Sequence, residues 1–167
     1  MPSESKLAEM IFNETEESIR SWILQEGASR IDITINRIGL YGQFDPQLTI
    51  DGVTSRVIPP YGTKLPFSEL RRAQALPGRG AWTWCRLWMD ASDGVLHQEC
   101  DWMREPVFED SSAGAGEYAI ELDRYPRDPE FIPGWLAERA AAYEKRKERN
   151  ARRREARRRK REQERGD

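Results

Sequence analysis

Two cysteines and one histidine are all the thiols and imidazoles in this chain of 167 residues. So few thiols cannot staple a small secreted fold, and one imidazole with two thiols cannot close a four-ligand structural zinc site. Long apolar runs are missing too: none approaches the roughly 18 residues needed to cross a bilayer. The opening MPSESKLAEM has neither the basic flank nor the apolar centre of a secretory signal. Phosphate loops and nucleophile elbows are absent, because GAGE at 114–117 lacks a preceding strand and a basic partner. We therefore expect a reduced, cytoplasmic chain with no membrane span, metal, cofactor or catalytic residue.

Charge, by contrast, is plentiful and uneven. From Gly134 onward there are 14 Lys and Arg against 7 Asp and Glu (+7), while the residues before it carry 13 against 22 (−9). An acidic body thus bears a basic tail, an asymmetry that steers charged partners without specifying a fold.

Periodicity places the elements. Over residues 5–26, Leu7, Met10, Ile11, Ile19, Trp22 and Ile23 fall on one helical stripe that stops at Gly27. Ile31, Ile33 and Ile35 then alternate with polar neighbours as a half-buried strand. A turn is expected at Asp45-Pro46, followed by a second run with Leu48, Ile50, Val53 and Val57 inward, so that the region reads as a hairpin. Residues 66–76 predict a short helix with Ser68 near its start, closed by Pro77-Gly78. Residues 114–125 predict another, with Tyr118, Leu122 and Tyr125 meeting on one face. A long helix begins near Gly134.

Four of the six tryptophans fall within WTWCRLWMDASDGVLHQECDW, residues 82–102. Two alternating runs meet at a loop of either Ala91–Gly94 or Asp93-Gly94, and both registers group the same residues on each face. Thr83, Cys85, Leu87, Met89, Leu96, Gln98, Cys100 and Trp102 share one face. Lacking charge, it is assigned to the core. The other takes Trp82, Trp84, Arg86 and Trp88 with His97, Glu99, Asp101 and Met103, and Arg86 opposite Glu99 or Asp101 makes a cross-strand ion pair. Parity separates His97 from both thiols, which removes a Cys/His nucleophile. Two readings of the outer face stand: it is covered by the first helix or by residues 104–113, or it is a binding face centred on Trp84, Arg86, Trp88, Glu99 and Asp101, since tryptophan and arginine are enriched at binding hot spots. The carboxylates Glu99, Asp101, Glu105, Glu109 and Asp110 have no spacing that identifies an acid/base pair.

The basic end also supports two readings. Arginines 152–154 and 157–159, written Arg152, Arg153, Arg154, Arg157, Arg158 and Arg159, suit a phosphate-binding arm. Glu148–Arg152 and Glu155–Arg159 have the i,i+4 order that supports a solvated helix. Aromatics for base stacking are missing beyond Tyr143.

One further pattern joins these segments. Trp82, Thr83, Arg86 and Leu87, then Glu99-Cys100-Asp101-Trp102, then Glu121-Leu122, Arg124-Tyr125-Pro126-Arg127, Ile132-Pro133 and Trp135-Leu136 resemble the motifs of the YezG-like immunity (antitoxin) family of polymorphic toxin systems. Residues 80–136 carry the resemblance; Glu99, Cys100, Trp84 and Trp88 depart from the family pattern, and the arginine-rich tail lies outside it. The resemblance implies an α+β fold, an antiparallel sheet of about four strands flanked by helices, which agrees with the reading above. The chain as a whole is expected to divide into a single immunity-like domain over residues 1–137 and a basic, solvated helical tail over 138–167. The resemblance further implies a non-catalytic inhibitor whose partner is a cognate protein toxin; the arginine-rich tail keeps nucleic acid as the weaker alternative partner. An acidic body suits a basic target such as a nuclease.

Overall fold

The fold is that of a computed structural model, which describes residues 3–109 and 111–166. It is α+β: a five-stranded antiparallel sheet with the order β3-β2-β1-β4-β5, flanked by helices and extended by a long C-terminal helix. The strands are β1 (Arg30–Ile38), β2 (Tyr41–Ile50), β3 (Val53–Arg56), β4 (Trp84–Asp90) and β5 (His97–Asp101). The helices are α1 (Glu4–Glu26), α2 (Phe67–Ala73), α3 (Ala115–Arg124) and α4 (Gly134–Gly166). Among the described residues no helix is long and apolar enough to cross a membrane.

Helix α1 starts where the Ser3 side chain accepts a hydrogen bond from the Lys6 amide, and ends at Gly27, whose φ of 64° is a left-handed conformation that glycine adopts without strain. Its buried face is Thr15, Ile19, Trp22 and Ile23. The expected stripe therefore holds only in its second half. Leu7 and Met10 are 43% and 47% exposed, because the N-terminal turns run past the sheet toward α2. At the polar interruption Thr15 turns its hydroxyl back to the Ile11 carbonyl at 2.8 Å, which satisfies it inside the core.

Alternation places Ile31, Ile33 and Ile35 of β1 and Cys85, Leu87 and Met89 of β4 on the α1 side, all buried. Fully burying an aliphatic side chain of this size contributes roughly 1.5–3 kcal/mol, so this face is the main source of cohesion. The turn expected at Asp45-Pro46 is not there. The chain reverses at Gly39-Leu40 and again at Asp51-Gly52, and β2 runs straight through Pro46, opposite Ile33. Proline is tolerated because its carbonyl accepts from the Val57 amide at 3.0 Å on the β3 side. Its missing N–H points the same way, past the end of a four-residue strand, so the ladder to β1 loses nothing. The second reversal adds the fifth strand and moves the tip outward: Leu48 is buried, but Ile50 and Val53 are 37% and 68% exposed and only Val57 returns to the core margin.

Helix α2 is shorter than expected, and Ser68 accepts a hydrogen bond from Arg37 at 2.7 Å instead of capping it. A second cluster, Ile38, Ala113, Tyr118, Leu136 and Ala140, holds α3 and α4 against the end of β1. Leu122 packs at its edge, while Tyr125 lies under the Arg71 guanidinium, 5.0 Å from the ring centre.

Between the two clusters sits a buried charge network that sequence periodicity does not announce. Glu121 of α3 is fully buried; one carboxylate oxygen accepts from Arg71 of α2 at 2.6 Å and the other from the Gly39 amide at 2.8 Å. Arg71 also donates to the Trp82 carbonyl at 2.7 Å. Arg127, just after α3, lies 3.9 Å from Glu121 and donates to the carbonyls of Ala81, Trp102 and Phe131. Burial pulls the Arg127 guanidinium below its ordinary pKa; Glu121 opposes that shift and Arg71 adds to it. One carboxylate and two guanidiniums thus tie α2, α3, the β1–β2 turn and the entry to β4 together.

Candidate functional site

With α1 and α2 on one face, the other face of the sheet is lined by side chains of the opposite parity. β1 contributes Arg30, Asp32, Thr34 and Asn36, β4 contributes Trp84, Arg86, Trp88 and Asp90, and β5 contributes His97, Glu99 and Asp101. The β4–β5 pairing sets Trp84 opposite Asp101, Arg86 opposite Glu99 and Trp88 opposite His97. This is the longer-loop register of the two considered, and Cys85 faces Cys100 on the inner side. Both cysteines are free: Cys85 is buried and Cys100 half-buried. Contact with the Cys85 thiol, reinforced by burial, pushes the Cys100 thiol up, away from thiolate chemistry.

Trp84 and Trp88 are half-buried, as are Arg86 and Asp101, while Glu99 and His97 are exposed. Trp82, expected beside them, is fully buried. The alternation fails at Thr83, whose amide and hydroxyl both bond the Asp101 carbonyl, one position out of register. Trp82 and Thr83 consequently both turn inward, and the Trp82 indole N–H donates to Gln74 at 2.9 Å.

Residues after β5 form a strap over one end of this face. The Val107 amide donates to Asn36, the Glu109 amide to Gln43, and Glu109 pairs with Arg56 at 3.3 Å. Arg104 lies over the Trp84 ring at 4.4 Å. The Asp101 carboxylate is engaged locally, accepting from the amides of Met103 and Arg104. Of the other acids considered, Glu105 pairs with Arg139, and Asp110 lies outside the described residues. Trp84 and Asp101 thus stand at the strapped margin, and Trp88, Arg86 and Glu99 lie beyond it.

At that open end the groups are organised by one another. Arg86 does not use Glu99; it reaches the other neighbouring strand and donates two hydrogen bonds to Asp32, at 2.8 and 2.7 Å. Two parallel bonds to one carboxylate fix the guanidinium in position and plane. Arg30 joins Asp32 to Asp90 at 3.2 and 3.0 Å. The Arg86 guanidinium lies 4.8 Å from the centre of the Trp88 ring, and that ring stacks on His97 with centroids 5.3 Å apart.

Partial burial by itself would raise the Asp32 pKa; hydrogen bonds from Arg86 and then Arg30 outweigh it and hold the carboxyl below its ordinary range. A depressed folded-state pKa stabilises the fold above the unfolded value and loses that contribution as pH falls through the folded one. The stability difference between wild type and Asp32→Asn is therefore expected to be full at neutral pH, to shrink below about pH 4, and to vanish in stronger acid. Denaturant midpoints measured across that range check it; a pH-independent difference would show that the pairing contributes nothing through ionisation.

Among the described residues no group of three or more His, Cys, Asp and Glu is placed to hold a metal ion. No protein-family model matches this chain, and no curated protein matches it. The open face thus sets an indole–imidazole stack, a guanidinium paired with Asp32 and an exposed carboxylate side by side.

Proposed function

We propose that the protein is a non-catalytic immunity protein that neutralises a cognate toxin by occluding it with the open face of its sheet. The observation that carries this reading is the end of β4 and β5 beyond the strap, where the half-buried Trp88 stacks on His97 and lies close to the Arg86 guanidinium, beside the exposed Glu99. Binding there is favoured because the aromatic pair and the Arg86–Asp32 fork are already ordered, so little conformational entropy is lost on association. The resemblance over residues 80–136 supports the same reading. The −9 balance of residues 1–133 favours a basic target, such as a nuclease built to grip phosphate, and would speed its capture.

Trp88, Arg86 and Glu99 form the proposed centre, with Trp84 and Asp101 at the margin. Trp88→Ala is expected to weaken binding to the cognate toxin by at least about 2 kcal/mol, roughly 30-fold in Kd. Calorimetric titration of purified toxin with the folded variant measures it. Unchanged affinity in both Trp88→Ala and Trp84→Ala, with the fold intact, would remove this face from the interface.

A further inference from the structure

The second feature without a role in the fold is the far part of α4. Leu136 and Ala140 are buried and Tyr143 is half-buried, but of the 23 residues from Glu144 to Gly166 only Glu155 is not fully exposed. At 1.5 Å per residue this arm is roughly 35 Å long. It carries 13 Lys and Arg against 5 Glu.

Four of the arm's five glutamates are segregated to one side of the helix, while Glu164 falls on the opposite side, beside Lys160. Glu144, Glu148, Glu155 and Glu162 follow one another at offsets of 4, 11 and 18 residues, which keeps them on a single narrow stripe. Arg146, Arg149, Arg153, Arg157 and Lys160 follow at 3, 7, 11 and 14, which draws a second stripe on the opposite side, about 21 Å long. Among the described residues the arm's ion pairs join Arg158 to Glu155 and Glu162, Arg159 to Glu155, and Lys160 to Glu164. Four of the five residues of the basic stripe therefore have no acidic partner among them. Arg149, Arg153 and Arg157 stand instead at successive i,i+4 positions, where like charges destabilise a helix by a few tenths of a kcal/mol per pair. Simple solvation does not require this arrangement, since the same residues in mixed order would pair along the helix. A polyanion laid along the stripe reverses its sign.

We propose that the arm binds duplex DNA without sequence preference, seating the Arg146–Lys160 stripe against phosphates across the major groove with the glutamate stripe turned to solvent. A helix 10–12 Å across matches a groove about 12 Å wide. Beyond Tyr143 the arm carries no aromatic side chain to stack on unpaired bases, which favours a duplex over a single strand. Of the six arginines that sequence alone singles out, this geometry keeps Arg153 and Arg157 at the centre, sets Arg152 and Arg154 at the flanks, and assigns Arg158 and Arg159 to the glutamate side.

The test is titration of a fluorescent mixed-sequence DNA duplex of about 20 base pairs with the full chain over a range of salt. Removing one phosphate-neutralising side chain should reduce the slope of log K against log salt by about 1. Arg149→Gln with Arg153→Gln is thus expected to reduce it by about 2, and Arg158→Gln with Arg159→Gln, which removes the same net charge, by much less. Equal effects of the two pairs would overturn the stripe, and equal affinity for a single strand of the same length would overturn the duplex. No DNA binding at low salt, or salt-sensitive self-association in its place, would overturn the proposal outright. Loss of toxin binding by Trp88→Ala leaves this result untouched, so the two readings fail separately.

Discussion

Glu121→Ala is expected to cost about 3–5 kcal/mol of folding stability, the range for removing one partner of a buried ion pair. The reason lies in what would be left behind. Arg71 and Arg127 would remain almost wholly buried without the carboxylate that faces them, and the Gly39 amide would lose the oxygen it donates to at 2.8 Å. The turn itself is close-packed: Gly39 has a φ of +58°, and a side chain there would run into Glu117. Glu121→Gln keeps the acceptor for Gly39 and the volume but gives up the charge, and should fall between wild type and alanine. Arg71→Met alone should also be severe, yet Arg71→Met with Glu121→Gln should cost less than the sum of the two, because neither charge is then stranded by the other's removal. Urea midpoints of the four proteins give the coupling directly. Strict additivity would mean that Arg71 and Glu121 are neighbours without being partners.

This network also shows where sequence and structure part company. Burial of Ile31, Ile33, Ile35, Cys85, Leu87 and Met89 is legible because strand geometry has a period of two and these positions keep to it. The faces of the β4–β5 ribbon are legible for the same reason. Glu121 is not, because a helical position is marked as buried by an apolar residue and this one carries a carboxylate. The available hint is its place three residues after Tyr118 and four before Tyr125, on the very stripe those aromatics define. Its partners Arg71 and Arg127 are brought to it only by the tertiary fold. The Asp45-Pro46 turn fails differently. Proline punctuates most strands, but here its lost donor faces the end of short β3, a circumstance set by a neighbouring strand and invisible locally.

Much of the motif pattern over residues 80–136 that resembles the immunity family falls on this scaffold. Glu121 and Arg127 lock the buried network, and Leu136 is buried where α4 meets α3. The Trp135 indole donates to the Met103 carbonyl at 3.0 Å and so ties α4 to the strap. Such residues specify how the strap and helices are assembled around the sheet. The positions that depart from the pattern include Trp84 on the outer face, Trp88 at its open end and Glu99 beside it. Under the proposed immunity function, substitutions at such exposed positions would tune which toxin is bound, since specificity is a difference of affinities set where partners touch.

The three tryptophans of β4 and its approach separate scaffold from surface most sharply. Trp82→Ala is expected to destabilise the fold by about 3–5 kcal/mol, the range for emptying a fully buried large aromatic site. Its indole is packed in the main core, hydrogen-bonded to Gln74, with the Arg71 guanidinium 5.8 Å from the ring centre, so the cavity borders both the apolar core and the buried charges. Water entering it would reach Arg71 and weaken the hold on Glu121 as well. Trp88→Ala removes a ring of the same size from a half-exposed site, giving up the stack on His97 and the cation–ring attraction to Arg86, and leaves the Arg86–Asp32 fork in place. A change within about 1 kcal/mol is expected there, in line with substitutions away from the core. Trp84→Ala should lie between them, because the strap rests on that ring through Arg104. Thermal and urea unfolding of the three variants rank these sites by how far each indole belongs to the core. A loss at Trp88 as large as that at Trp82 would place the outer face among the structural elements and withdraw it as a surface available to a toxin.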